Sequence, residues 1–115
     1  MVELLLVLFV VALLASLVAP VMTGSIQRAR ESALKEDLYA LRKAVDDFYA
    51  DTGRYPESLV QLADKRYIRK VPVDPMTERV NSWVEIRGEG QNAGIIDVRS
   101  GSEEKSPDGV AYKDW

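Results

Sequence analysis

The chain has 115 residues, 15 of them Lys or Arg and 18 Asp or Glu, for a net charge of −3, and it contains no Cys and no His. That inventory excludes disulfides, thiol nucleophiles, histidine acid–base catalysis and Cys/His zinc sites, so any metal would be a hard cation held by oxygen. Basic and acidic residues are interleaved, which leaves no clustered basic surface for nucleic acid.

The chain opens on MVELLLVLFVVALLASLVAPVM, in which Glu3 is the only charge, and no further charged residue occurs before Arg28. At 1.5 Å per residue, about 20 apolar residues span the roughly 30 Å hydrocarbon core of a bilayer. The run from Leu4 to Met22 is therefore expected to cross a membrane, or to be buried as a membrane would bury it. It does not read as a cleaved secretory signal, because no basic residue precedes it and an acid stands there instead. Glu3 lies close to hydrocarbon, where a charge costs about 2.5–3.5 kcal/mol at a helix centre, so it is a candidate for pairing with a positive partner. Pro20 removes a backbone donor inside the helical pattern and is expected to kink the helix there, with Gly24 as a second weak point. Arg28 and Arg30 come directly after the apolar run, and the positive-inside rule taken alone places the C-terminal domain in the cytoplasm.

From Ser25 to Asp51 the period changes. Ile26, Ala29, Ala33, Leu34, Leu38, Leu41, Val45 and Phe48 recur at three- and four-residue steps, with charged residues covering the rest. This predicts an amphipathic continuation of the same helix, near 50 residues in all, with an apolar stripe on one side. Gly53 suits its left-handed C-terminal position. Pro56 suits the first turn of a short second helix over 57–66, with Leu59, Leu62 and Ala63 facing inward and Tyr67 and Ile68 burying beside it. Residues 70–75, Lys-Val-Pro-Val-Asp-Pro, read as an extended loop.

Residues 82–87 and 95–99 read as two strands joined by the glycine-rich stretch 88–94, a hairpin. Residues 100–109 form a polar loop with Glu103, Glu104 and Asp108, and residues 110–115 either return to the sheet or pack onto it. Two or three strands are not stable alone. They need the apolar stripe of the long helix, which in turn has nothing else to cover it. The fold expected is α+β, with the filament- or membrane-embedded half of the long helix at 1–23 and one soluble domain at 24–115. That domain divides into a helix half at 24–52, a second helix and loop at 53–80, and a hairpin and C-terminal loop at 81–115.

These segments together resemble the type IV pilin-like family, and within it the major pseudopilins of type II secretion systems. Met1-Val2-Glu3-Leu4-Leu5 resembles the family's mature start from its third residue onward, and Pro20 falls at its helix-kinking proline. Ala50-Asp51-Thr52-Gly53-Arg54-Tyr55-Pro56, Val71-Pro72-Val73-Asp74-Pro75, Asp97-Val98-Arg99-Ser100-Gly101 and Trp115 are similar to segments of the major pseudopilin beyond its long helix.

The resemblance implies a pilin-like fold and a structural subunit with no catalytic residue. Such a subunit polymerises through its apolar helix into a periplasmic pseudopilus that drives protein secretion. It is a single-pass protein of the bacterial inner membrane with its C-terminal domain in the periplasm. The implied partners are copies of itself, minor pseudopilins, an inner-membrane assembly platform, a prepilin peptidase acting on a basic leader ahead of Met1, and the bilayer, with no nucleic acid. Glu3 would receive the methylated N-terminal amine of a neighbouring subunit, while Pro20 and Gly24 allow the helix to stretch on packing. No cofactor is required. The family's calcium loop is rich in Gly and Asp and this loop is not, but Glu103, Glu104 and Asp108 offer three carboxylates of the kind calcium takes.

The alternatives are a subunit of a type IV pilus or DNA-uptake filament, and a membrane-tethered binding module. Catalysis is disfavoured because adjacent acids such as Asp46 and Asp47 diverge on a helix, with no nucleophile or phosphate loop beside them.

Overall fold

In the computed structural model, residues 1–16 and 24–115 are described with their side chains, and the element order is α1 (Val2–Thr52), α2 (Leu59–Asp64), β1 (Val84–Gly88) and β2 (Gly94–Arg99). A 3₁₀ turn at Gly90–Asn92 lies within the hairpin and another, Tyr112–Asp114, comes after the loop that leaves β2. This is the expected α+β architecture, a long N-terminal helix with a short helix and a two-stranded antiparallel sheet. The chain forms two compact units, Met1–Glu31 and Ser32–Trp115.

The first unit is helical, and Leu4, Leu5, Leu6 and Phe9 along it are between 61% and 66% exposed. Ile26 and Ala29, expected on the buried stripe, are exposed as well. The stripe is buried only from Leu34 onward. The kink expected at Pro20 lies outside the described residues.

In the second unit, Leu34, Leu38, Leu41, Ala44, Val45 and Phe48 form one wall of the core. Their three- and four-residue spacing brings them to one side of a helix with 3.6 residues per turn. Facing them are Leu59 and Leu62 of α2, Met76, Trp83, Ile95 and Val98 of β2, and Tyr112. Tyr67 caps one end of this wall, its ring meeting Phe48 edge-on at 5.3 Å between centroids and its hydroxyl donating to Asp51 at 2.7 Å. Gly53 closes α1 at φ 74°, the left-handed region in which a side chain would be strained.

The second helix is shorter than expected and starts later. Ser58 is its N-cap, accepting from Gln61 N at 3.1 Å, and Gln61 Oε1 accepts from Glu57 N at 2.8 Å in return. That reciprocal pair sets the start at Leu59. Pro56 lies before the cap, buried, and its carbonyl accepts from Ile95 N at 2.7 Å, so it ties the helix approach to β2.

The hairpin pairs Val84 with Arg99 and Ile86 with Asp97, then skips a residue so that Arg87 faces Ile95. Ile96 is the extra residue, a β-bulge. It explains why Ile95 and Val98 are both fully buried although three residues apart, where strict alternation would have sent them to opposite faces. Residues 110–115 do not add a strand. Ala111 makes one bridge to Lys105, and the turn after it drives Tyr112 into the core, its ring edge-on to Trp115 at 5.0 Å.

Candidate assembly segment and C-terminal loop

The assembly segment expected from sequence begins at the start of α1, where Glu3 is the acid of the first turn. A carboxylate is favoured there by the unpaired amide groups and the helix dipole. Glu3 is exposed, with apolar Val2, Leu4, Leu5 and Leu6 exposed around it. Gly24 is helical and uncrowded, since a Cβ placed there would meet only Arg28 Nη2 at 3.9 Å. Among the described residues no neighbour crowds this position, and a glycine there lowers the local helix propensity. Pro20 lies outside the described residues. Among the described residues no helix is long and apolar enough to cross a membrane, and the run expected to do so, 4–22, includes residues 17–22 outside that set.

The three carboxylates of the C-terminal loop do not converge. Glu103 is 3.9 Å from Lys113 Nζ, and its side chain is 90% exposed. Asp108 accepts a hydrogen bond from the Ser106 hydroxyl, which, with its own backbone amide, holds its carboxyl below the usual carboxylate range. Glu104 uses its backbone instead, its carbonyl accepting from Tyr112 N at 3.1 Å. Among the described residues no group of three or more acidic side chains is placed to hold a metal ion. The three carboxylates are therefore not gathered at one point from which they could together supply calcium's oxygen shell.

What does converge on the loop is a set of residues that hydrophobic and charge patterning leaves unmarked. Arg42, placed by its spacing on the solvated side of α1, donates from Nε to Asp97 Oδ1 at 2.9 Å and from Nη2 to the carbonyls of Val98 and Trp115, each at 3.1 Å. One guanidinium thus ties the long helix to β2 and to the end of the loop. Lys35, two turns earlier, lies over the Trp115 ring at 5.1 Å from its centroid. Asp74 is wholly buried and gathers donors from the residues just after β2. The only hint of these roles in sequence is the placement of Asp74 and Trp115 in segments similar to those of the major pseudopilin.

Asp37, half-buried on α1, has its carboxyl raised above the ordinary aspartate value, first by burial and then by the nearby charges of Glu36 and Asp74.

No protein-family model matches the chain, and no solved structure matches it. Curated relatives do. The type II secretion system core protein G of Klebsiella pneumoniae is 31% identical over 94% of this chain and 82% of its own length. The core protein G of Aeromonas hydrophila is 30% identical over 64% of this chain, and so is that of Escherichia coli K12. Those two matches span 62% and 61% of the relatives' own lengths. Shared sequence over nearly the whole chain, on the long-helix and hairpin architecture that the sequence implied, shows that the chain belongs to the type II secretion core protein G family, the major pseudopilins.

Proposed function

We propose that the protein is a structural subunit that polymerises through its apolar N-terminal helix into the pseudopilus of a type II secretion system. The observation that carries this reading is the exposed apolar surface from Val2 to Leu14, interrupted only by Glu3, in a chain of the core protein G family. A run of exposed Leu, Val and Phe on a helix is stable in water only when something covers it. Before assembly that cover is lipid. In the filament it is the same segment of neighbouring subunits, at little change in polarity.

On this reading the protein is anchored in the inner membrane with residues 24–115 on the periplasmic side, and it has no catalytic activity of its own. Processing by a prepilin peptidase, minor pseudopilins and an inner-membrane platform complete the assembly. Glu3 receives the methylated N-terminal amine of the adjacent subunit. Two opposite charges in a low-dielectric bundle stabilise one another only in register, and a slipped register leaves both unpaired.

The test is to delete the gene, assay secretion of extracellular proteins, and crosslink the complemented strain through cysteines placed near Glu3. Loss of secretion with a ladder of crosslinked subunits supports the reading. Long sheared surface filaments with intact secretion would make the protein a pilin instead. A monomer without a secretion defect would reduce it to a tethered module.

A further inference from the structure

The loop after β2 is the stretch in which the family resemblance would place calcium, and the hydrogen bonds there run to protein groups. Asp74, 0% exposed, accepts at Oδ2 from Ser100 Oγ at 2.7 Å and from Gly101 N at 3.2 Å. Its Oδ1 accepts from Met76 N at 2.8 Å. The buried carboxyl therefore joins its own turn, closed by the Asp74–Arg79 bridge, to the exit of β2. The pattern then repeats along the loop, as Ser100 Oγ accepts from Ser102 N at 3.2 Å and Ser102 Oγ from Glu104 N at 3.1 Å. Farther on, Ser106 N donates to Val110 O at 2.8 Å and Tyr112 N to Glu104 O at 3.1 Å, which returns Tyr112 to the core.

A cation serves oxygen ligands, whereas Asp74 and the serine hydroxyls here accept from N–H and O–H donors. Among the described residues no buried side-chain polar atom is left without a hydrogen-bond partner, so no buried side-chain oxygen is left waiting for a metal. Ser100, Ser102 and Ser106 are themselves buried, and the short serine turns leave the acids between them outside.

We infer that this C-terminal loop is fastened by Asp74 and its serine relay, and that it folds and holds its place without a divalent cation. The inference stands whether or not the protein assembles into a pseudopilus, because it concerns only the fold of residues 74–115.

The experiment uses the full chain in detergent, with thermal unfolding and amide hydrogen exchange measured in excess EDTA and in millimolar calcium chloride. The melting temperature and the protection of residues 100–112 are expected to be the same in both. In Asp74→Asn and in Ser100→Ala, exchange at Gly101, Ser102 and Glu104 is expected to rise roughly tenfold or more, equally with and without calcium. If Asp74→Asn fails to fold, Ser100→Ala decides the point, since it removes only one of the three bonds to Asp74. A melting temperature raised by calcium, or loop protection lost in EDTA, would overturn the inference. Wild-type exchange in the folded variants would overturn the role given to Asp74.

Discussion

Arg42 and Asp97 lie 55 residues apart in sequence and meet at 2.9 Å, Nε to Oδ1. The same guanidinium reaches the Val98 and Trp115 carbonyls, so one side chain from α1 holds both β2 and the end of the C-terminal loop. A single exposed ion pair contributes little, but a charged donor spread over a carboxylate and two carbonyls is worth more.

Arg42→Ala is therefore expected to destabilise the protein by about 1–3 kcal/mol, against about 0.5 kcal/mol or less for Lys43→Ala. Among the described residues Lys43 pairs with Asp47 one turn along the same exposed helix face, at 2.8 Å. Urea unfolding of the full chain in detergent, followed by tryptophan fluorescence, measures both. Equal effects would show that the two carbonyl contacts add nothing.

The apolar stripe makes a second contrast. Leu41 is wholly buried and Tyr39, two residues before it, is 70% exposed. Leu41→Ala is expected to cost about 2–5 kcal/mol by leaving a cavity, and Tyr39→Ala about 0.5 kcal/mol or less. The same unfolding measurement separates them.

Asp37 carries a pH dependence. Its carboxyl is raised in the folded protein by burial and by Glu36 and Asp74, so the native state holds the proton more tightly than the unfolded chain. This group's contribution is best at pH below its ordinary value of 3.8, and it is lost as pH rises through that value to the raised one. Asp37→Asn is expected to stabilise the protein slightly at pH 7, on the order of 0.5 kcal/mol after solvent screening, and to give no such gain at pH 3. Unfolding midpoints of the pair at the two pH values test this. A gain that is larger at pH 3 would reverse the sign and refute the account.

Glu3→Ala tests register at the assembly segment. The variant is expected to reach the membrane fraction at wild-type level, because removing a charge beside hydrocarbon makes insertion no harder. Its neighbour crosslinks and secretion are expected to fall several-fold. Normal crosslinking in this variant would remove Glu3 from the assembly mechanism.

Gly101→Ala probes how closely two segments pass. A Cβ at Gly101 would lie 2.0 Å from the Ser82 carbonyl oxygen, so the backbone at one of the two must move. The expected cost is about 1–3 kcal/mol, read as a lowered urea midpoint.

The sequence by itself determined the elements. An uncharged run after Glu3, a stripe at helical spacing, Gly53 and the two strands around a glycine-rich turn are all local signals. Each depends on periodicity or on the conformational preference of one residue. The chain's similarity to the major pseudopilins rests on those same stretches. The tertiary structure decided which residues fasten the elements together. Arg42 is one of several charged residues on α1, and only the position of β2 singles it out. Asp74 stands between Val73 and Pro75, and nothing nearby in sequence marks it as the buried acceptor for Ser100 and Gly101. The bulge at Ile96 that puts Ile95 and Val98 on one face is equally invisible to a period-two reading. Local preference acts over a few residues, whereas a buried donor or acceptor must be satisfied by whatever the folded chain brings beside it, and that partner is set by topology.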